Sequence, residues 1–297
     1  MVGVITKADL TGYNGARRQE WQEKLGTELI EVSARDGTGI AELKMAMIHK
    51  APNNEADLFL VRDLIRPGDV VVLVIPIDSA APKGRLILPQ QQVIRDVLDR
   101  NAIAVMTKET ELKATLEQLG KKPALVVTDS QVFSKVAADT PLEIPLTSFS
   151  ILFARFKGDL PELVRGVKNV EKLKPGDRVL VAEGCTHHRQ CDDIGTVKIP
   201  RWLRQQVGGD LNFEWASGMT MPQDLSKYRL VIHCGGCMLN RQMMKYRVAA
   251  AREQGTPIVN YGVFIAYVNG VFPRALQPFQ ELKPFLDEEF KNTGRTC

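Results

Sequence analysis

From residue 69 onward the chain alternates short apolar runs with stretches whose apolar positions recur at helical spacing. Residues 69–77 form a near-continuous apolar run, the mark of a strand covered on both faces. Residues 89–100 place Val93, Ile94, Val97 and Leu98 on one helical stripe. A strand over 102–106 follows. A helix over 109–119 then turns Leu112, Leu116 and Leu119 inward, with Gly120 at its C-terminal cap. Residues 124–127 read as a third strand and 131–138 as helix-prone. This β-α-β-α-β order predicts a small parallel sheet with helical cover. Residues 146–172 are helix-rich and bridge into a last domain. Its strands are expected near 178–182, 211–216, 229–232 and 257–260, with helices over 200–207 and 241–254, the second closed by Gly255. The fold class is α/β, and no solenoid-type repeat is present.

The first fifty residues read differently. A strand runs into the polar loop Thr6-Lys7-Ala8-Asp9, and a second strand over 28–34 enters Ser33-Ala34-Arg35, followed by a helix to about His49. The two tripeptide-scale motifs resemble the guanine-recognition motifs of GTPases and stand in the right order. That resemblance implies that Asp9 accepts hydrogen bonds from a guanine edge, that the Lys7 stem packs on the base, and that Ser33 and Ala34 complete the pocket. Thr6 stands where Asn is commoner. The Gly-rich phosphate loop that ends in Lys-Ser/Thr, whose backbone cradles phosphates and whose hydroxyl holds magnesium, is not among these residues. Either Met1 opens a shortened GTPase domain or the motifs are coincidental surface turns. On both readings this chain alone is expected not to turn over GTP. Residues 51–57 make a linker, so the expected segments are 1–50, 58–148 and 149–297.

Composition narrows the function classes without choosing one. The chain has 297 residues, 44% hydrophobic and 25% charged, room for two or three domains. Its longest apolar run is far short of the about 20 residues that span a bilayer. With no targeting signature, a cytoplasmic protein without a membrane partner is expected. The net charge of +4 comes from scattered basic residues, and Arg201-Trp202-Leu203-Arg204 is too small a patch for a nucleic-acid surface.

Chemistry concentrates in the cysteines. Cys185-Thr186-His187 is followed, after forty-five intervening residues, by His233-Cys234-Gly235-Gly236-Cys237. Each half ends a run that reads as a buried strand, and ligands bind at the carboxyl ends of neighbouring parallel strands. Three thiolates from this spacing suit an iron–sulfur cluster or zinc, and argue against a disulfide framework. Three thiolates around a [4Fe-4S] cluster would leave one iron with a weaker or exchangeable ligand. Asn240 is a good N-cap for the helix starting at Arg241, whose positive end favours an anionic cluster. Gly235 and Gly236 let backbone amides approach the sulfurs. His187 and His233 are each either a fourth ligand or a supporting hydrogen-bond donor. Cys191 and Asp192 stand on the same polar loop, and Cys297 has no assigned role. A Cys3His zinc site in a regulatory or interaction module is the alternative.

Together with Glu183-Gly184 before the first cysteine and Asn260-Tyr261-Gly262 downstream, this pattern resembles the [FeFe]-hydrogenase maturation GTPase family, HydF. The resemblance implies a GTPase-domain remnant, a small Rossmann-like dimerisation domain with a parallel sheet, and an α/β [4Fe-4S] domain. Cys185, Cys234 and Cys237 would be the cluster thiolates, with His187 and His233 the motif histidines. The implied role is a scaffold and carrier. It receives a diiron precursor made with radical-SAM hydrogenase maturases and delivers it to apo-[FeFe]-hydrogenase. A homodimer is implied as well, and GTP with magnesium belongs only to a full-length protein.

Overall fold

The run Val70–Val74 is Val-Val-Val-Leu-Val, and β-branched residues with no polar break favour an extended strand buried on both faces. A computed structural model describes residues 2–10, 15–50, 59–77, 86–184, 193–218 and 220–285, and places this run at the heart of a parallel sheet. The chain divides into two compact units, Met1–Leu58 and Phe59–Cys297. In the first, strands β1 (Gly3–Thr6) and β2 (Leu29–Val32) pair in parallel, with helices α1 (Gly15–Leu25) and α2 (Ile40–Lys50). The helix α1 was not foreseen from the sequence.

The second unit holds two four-stranded parallel sheets. The first is built from β3 (Val70–Val74), α3 (Leu88–Asp99), β4 (Ile103–Thr107), α4 (Leu112–Gln118), β5 (Leu125–Thr128), α5 (Phe133–Asp139) and β6 (Leu146–Ser148). Two helices, α6 (Phe149–Lys157) and α7 (Leu160–Val167), follow. The second sheet is built from β7 (Arg178–Glu183), α8 (Ile199–Val207), β8 (Asn212–Ser217), β9 (Leu230–His233), α9 (Arg241–Glu253) and β10 (Ile258–Asn260). Helices α10 (Tyr261–Val268) and α11 (Phe272–Leu276) close it. The strand orders are β4-β3-β5-β6 and β10-β9-β7-β8. Counted within each sheet, both are the order 2-1-3-4, so the same winding occurs twice without a legible sequence repeat. In each, the chain reverses direction across the sheet between the first strand and the third.

One apolar core runs through both sheets, with Val72, Leu73 and Val126 from one and Leu180, Val231 and Ile232 from the other. Between them lies α6, whose Ile151, Leu152 and Phe153 are buried. Ser148 caps α6 by accepting from the Ile151 N–H, and Asp159 caps α7 by accepting from that of Glu162. Helix α7 packs on β10 so closely that a Cβ on Gly166 would overlap the Ile258 carbonyl.

Several sequence expectations need correction. Residues 146–148 are a fourth strand rather than the start of a helix: β6 pairs with β5, and the Val126 N–H donates to the Pro145 carbonyl at 2.9 Å. Three residues behind a proline carry no readable periodicity. Leu98 is exposed, not part of the buried stripe of α3. Asp96 is buried on that helix instead, accepting from the backbone N–H groups of Val61 and Arg62 at 2.8 and 3.0 Å. Gly120 does not adopt a left-handed cap; α4 ends with Leu119 extended. Gly255 does close α9 with φ +67°. The expected linker at 51–57 lies outside the described residues.

Candidate metal centre

The site begins at the end of two hydrogen-bonded strands. In the register of β7 with β9, Ala182 stands opposite His233. The Cys234 N–H continues that ladder, donating to the Ala182 carbonyl at 2.9 Å. Cys234 therefore leaves the sheet beside Gly184, directly before Cys185. These are the first and third strands of the sheet, and the crevice between them is the switch point where open parallel sheets bind ligands. Cys185, His187, Cys191, Asp192 and Cys297 lie outside the described residues. Among the described residues no three His, Cys, Asp or Glu side chains gather as a metal-binding group.

What the described part does show is a thiol set among groups that favour negative charge. Cys234 Sγ accepts from the Gly184 N–H at 3.0 Å and from the Gly236 N–H at 3.3 Å. Burial pushes this thiol's pKa up, and the two N–H groups oppose that. Gly236 takes φ +62°, and a Cβ there would come within 2.5 Å of Met244 Sδ. Asn240 caps α9, its side chain accepting from the Met243 N–H at 2.8 Å. The positive end of that helix thus starts four residues after Cys237.

Two buried cations stand behind the loop, and the sequence analysis missed both. Lys157, the last residue of α6, donates to the carbonyls of Gly236, Cys237 and Leu239 at 3.1, 2.8 and 2.8 Å. Burial lowers its pKa, opposed by the charges of Cys237 and Cys234. Arg247 on α9 donates to His233 Nε2 at 2.8 Å and to the Gly218 carbonyl at 2.6 Å. Each occupies an apolar helical stripe, Lys157 four residues after Phe153 and Arg247 between Met244 and Val248. A charge on a buried stripe was the signal available.

His233 is fully buried. A guanidinium only donates, so Nε2 is the acceptor and the ring proton sits on Nδ1, which donates to the Cys234 carbonyl at 2.7 Å. Burial, with the Arg247 charge beside it, pushes its pKa down to about 4. Both nitrogens of this neutral ring are committed within the protein. Two further polar residues meet at the end of β10. Ser150 on α6 donates to Asn260 Oδ1 at 3.1 Å, and the Gly262 N–H donates to Ser150 Oγ at 3.2 Å.

In the first unit, the guanine-type motifs do come together at the carboxyl ends of β1 and β2. Ser33 Oγ donates to Asp9 Oδ1 at 2.8 Å, and the Ala8 N–H donates to the Val32 carbonyl at 3.1 Å. Lys7 has φ +61° and is exposed, as is Ala34, whereas Ser33 is buried. The hydroxyl thus holds the carboxylate that the resemblance assigns to base recognition.

The donors described fit an anionic, thiolate-bound group: sulfur faced by backbone N–H groups, a helix start and two buried cations. Fold and site together define a parallel α/β protein with a cysteine loop at the switch point of its second sheet. Two family models match it: the hydrogen maturase F dimerization domain over residues 60–158, and the hydrogen maturase F tetramerization domain over residues 161–278. The chain belongs to the hydrogen maturase F (HydF) family, and its role lies in hydrogenase maturation. Both matched segments are oligomerisation domains by description, and tetramerisation was not foreseen from the sequence. None of the curated proteins matches the chain. No helix among the described residues is long and apolar enough to cross a membrane.

Proposed function

We propose that this chain is a metallocluster scaffold in [FeFe]-hydrogenase maturation, holding a [4Fe-4S] cluster through Cys185, Cys234 and Cys237. The observation that carries the reading is the Cys234 environment, where two glycine N–H groups meet the sulfur at the β7/β9 switch point. Such a cluster, bound by three thiolates, supplies one iron with an exchangeable coordination position. The protein's own part is to orient the loop through Lys157 and to fix the strand end through His233 and Arg247. The cargo is a diiron unit made with radical-SAM maturases and passed to apo-[FeFe]-hydrogenase. The protein works as a homodimer or a higher assembly of dimers. The edge strand β4, with Ile103 and Met106 more than half exposed, supports that part of the reading. Lys7, Asp9, Ser33 and Ala34 would supply guanine recognition, and binding of GTP with magnesium would need a phosphate site in addition to them.

The test is anaerobic reconstitution with iron and sulfide, followed by activation of apo-hydrogenase in the presence of the other maturases. Four irons per chain, a broad absorbance near roughly 400 nm that dithionite bleaches, and hydrogenase activation are expected. A colourless protein holding one zinc would replace this reading with a zinc-stabilised interaction module.

A further inference from the structure

Lys157 ends α6, inside the segment matched as the dimerization domain, yet all three carbonyls it holds lie on the cysteine loop of the following match. We propose that Lys157 is a positioning residue of the metal centre, tying the Cys-x-x-Cys loop to α6 and setting the reduction potential of the group bound there through its fixed positive charge. The proposal rests on the cluster-scaffold reading above.

The geometry separates hydrogen bonding from charge. An ammonium has three N–H donors, and three carbonyls satisfy them, so the hydrogen-bond inventory is complete. The charge is not neutralised in the same way. Among the described residues no carboxylate forms an ion pair with Lys157, and the ammonium also lies 5.2 Å from the centroid of the Phe153 ring. A buried cation without a counter-charge is costly and is retained where an anion completes the site. Deprotonated to hold a bound group, Cys234 and Cys237 would be the charges that oppose its own. A thiolate-bound cluster gains a further negative charge on reduction, so a cation held at the loop favours the reduced state.

Arg247, the second buried cation, does not duplicate this role, because its donors go to His233 and to the Gly218 carbonyl. Lys157 instead grips the loop backbone from Gly236 to Leu239, just before the start of α9. It also ends the helix whose Ser150 reaches Asn260 and Gly262, so one helix supports the site behind both β9 and β10. A shift of α6 within an assembly would therefore move the ammonium relative to the cysteines.

The experiment is a redox titration, followed by electron paramagnetic resonance, of the anaerobically reconstituted 297-residue chain and its Lys157→Gln variant. Glutamine keeps N–H donors for the carbonyls and removes the charge. It should retain four irons while the equilibrium for reduction falls about tenfold, a potential lower by about 59 mV for a one-electron couple. An unchanged potential with a full cluster would overturn the proposal. Should Lys157→Gln fail to hold iron, Lys157→Arg decides. Full iron with the wild-type potential supports the charge, and loss of iron from both variants overturns it. A wild-type chain that takes up no iron overturns the scaffold reading itself, an outcome distinct from an unchanged potential.

Discussion

The Gly184 N–H donates to Cys234 Sγ at 3.0 Å, joining chain segments fifty residues apart. The bond exists because β7 and β9 are adjacent and parallel, so their carboxyl ends emerge side by side. It places Gly184, the residue before Cys185 in the chain, against the first cysteine of the Cys-x-x-Cys loop.

Iron content should follow the three cysteines of that pattern. Cys185→Ser, Cys234→Ser and Cys237→Ser should each lose most reconstituted iron, because a hydroxyl is a poor replacement for a soft thiolate. Cys297→Ser should retain it. Iron and sulfide analysis after anaerobic reconstitution checks this, and a full four irons in Cys185→Ser would remove that residue from the ligand set.

His233→Ala should keep the iron and lose stability. Both ring nitrogens are engaged inside the protein, and the variant strands a buried Arg247 donor, a cost of about 1–3 kcal/mol. Urea unfolding of the apo-protein, paired with iron analysis, reads both quantities. Loss of the cluster without loss of stability would make His233 a ligand after all.

The two glycines of the loop should differ sharply. Gly236→Ala places a side chain at φ +62° and against Met244, destabilising by about 1–2 kcal/mol from the backbone alone. At Gly235 a Cβ meets Ser150 Oγ at an ordinary 3.4 Å. Gly235→Ala should therefore be neutral or stabilising by up to about 1 kcal/mol. Equal denaturation midpoints for the two variants would contradict this reading of the loop.

Assembly should depend on the edge of the first sheet. Met106 and Ile103 are exposed on β4, the outermost strand of the order β4-β3-β5-β6. A lysine at either position blunts such an edge. Light scattering should show the assembly of the wild-type chain reduced to the monomer mass in the double variant Ile103→Lys/Met106→Lys. An unchanged mass would move the interface elsewhere.

The alternation of apolar runs and helical stripes was legible because both faces of a parallel strand are covered, which leaves unbroken runs such as 70–74 and 179–182. The strands of the second sheet fall where that pattern places them. β6 was not legible: it is three residues long, and its place is set by pairing with β5 rather than by its own composition. α1, α10 and α11 were not foreseen either. α10 is buried almost throughout, so it shows no polar face to mark a helical period.

Residue type and spacing alone determined the α/β class, the cysteine pattern and the family resemblance, because covalent spacing and thiol chemistry are local properties of the chain. Which strands are neighbours was decided only by the tertiary structure, since pairing across a sheet depends on contacts between distant segments. That pairing brings Gly184 to Cys234, wraps α6 under the second sheet and seats Lys157 beneath the loop. The apolar stripe around Lys157 marks it only as a charge on a buried face; its partners are not legible there, because the carbonyls it holds lie about eighty residues further along the chain.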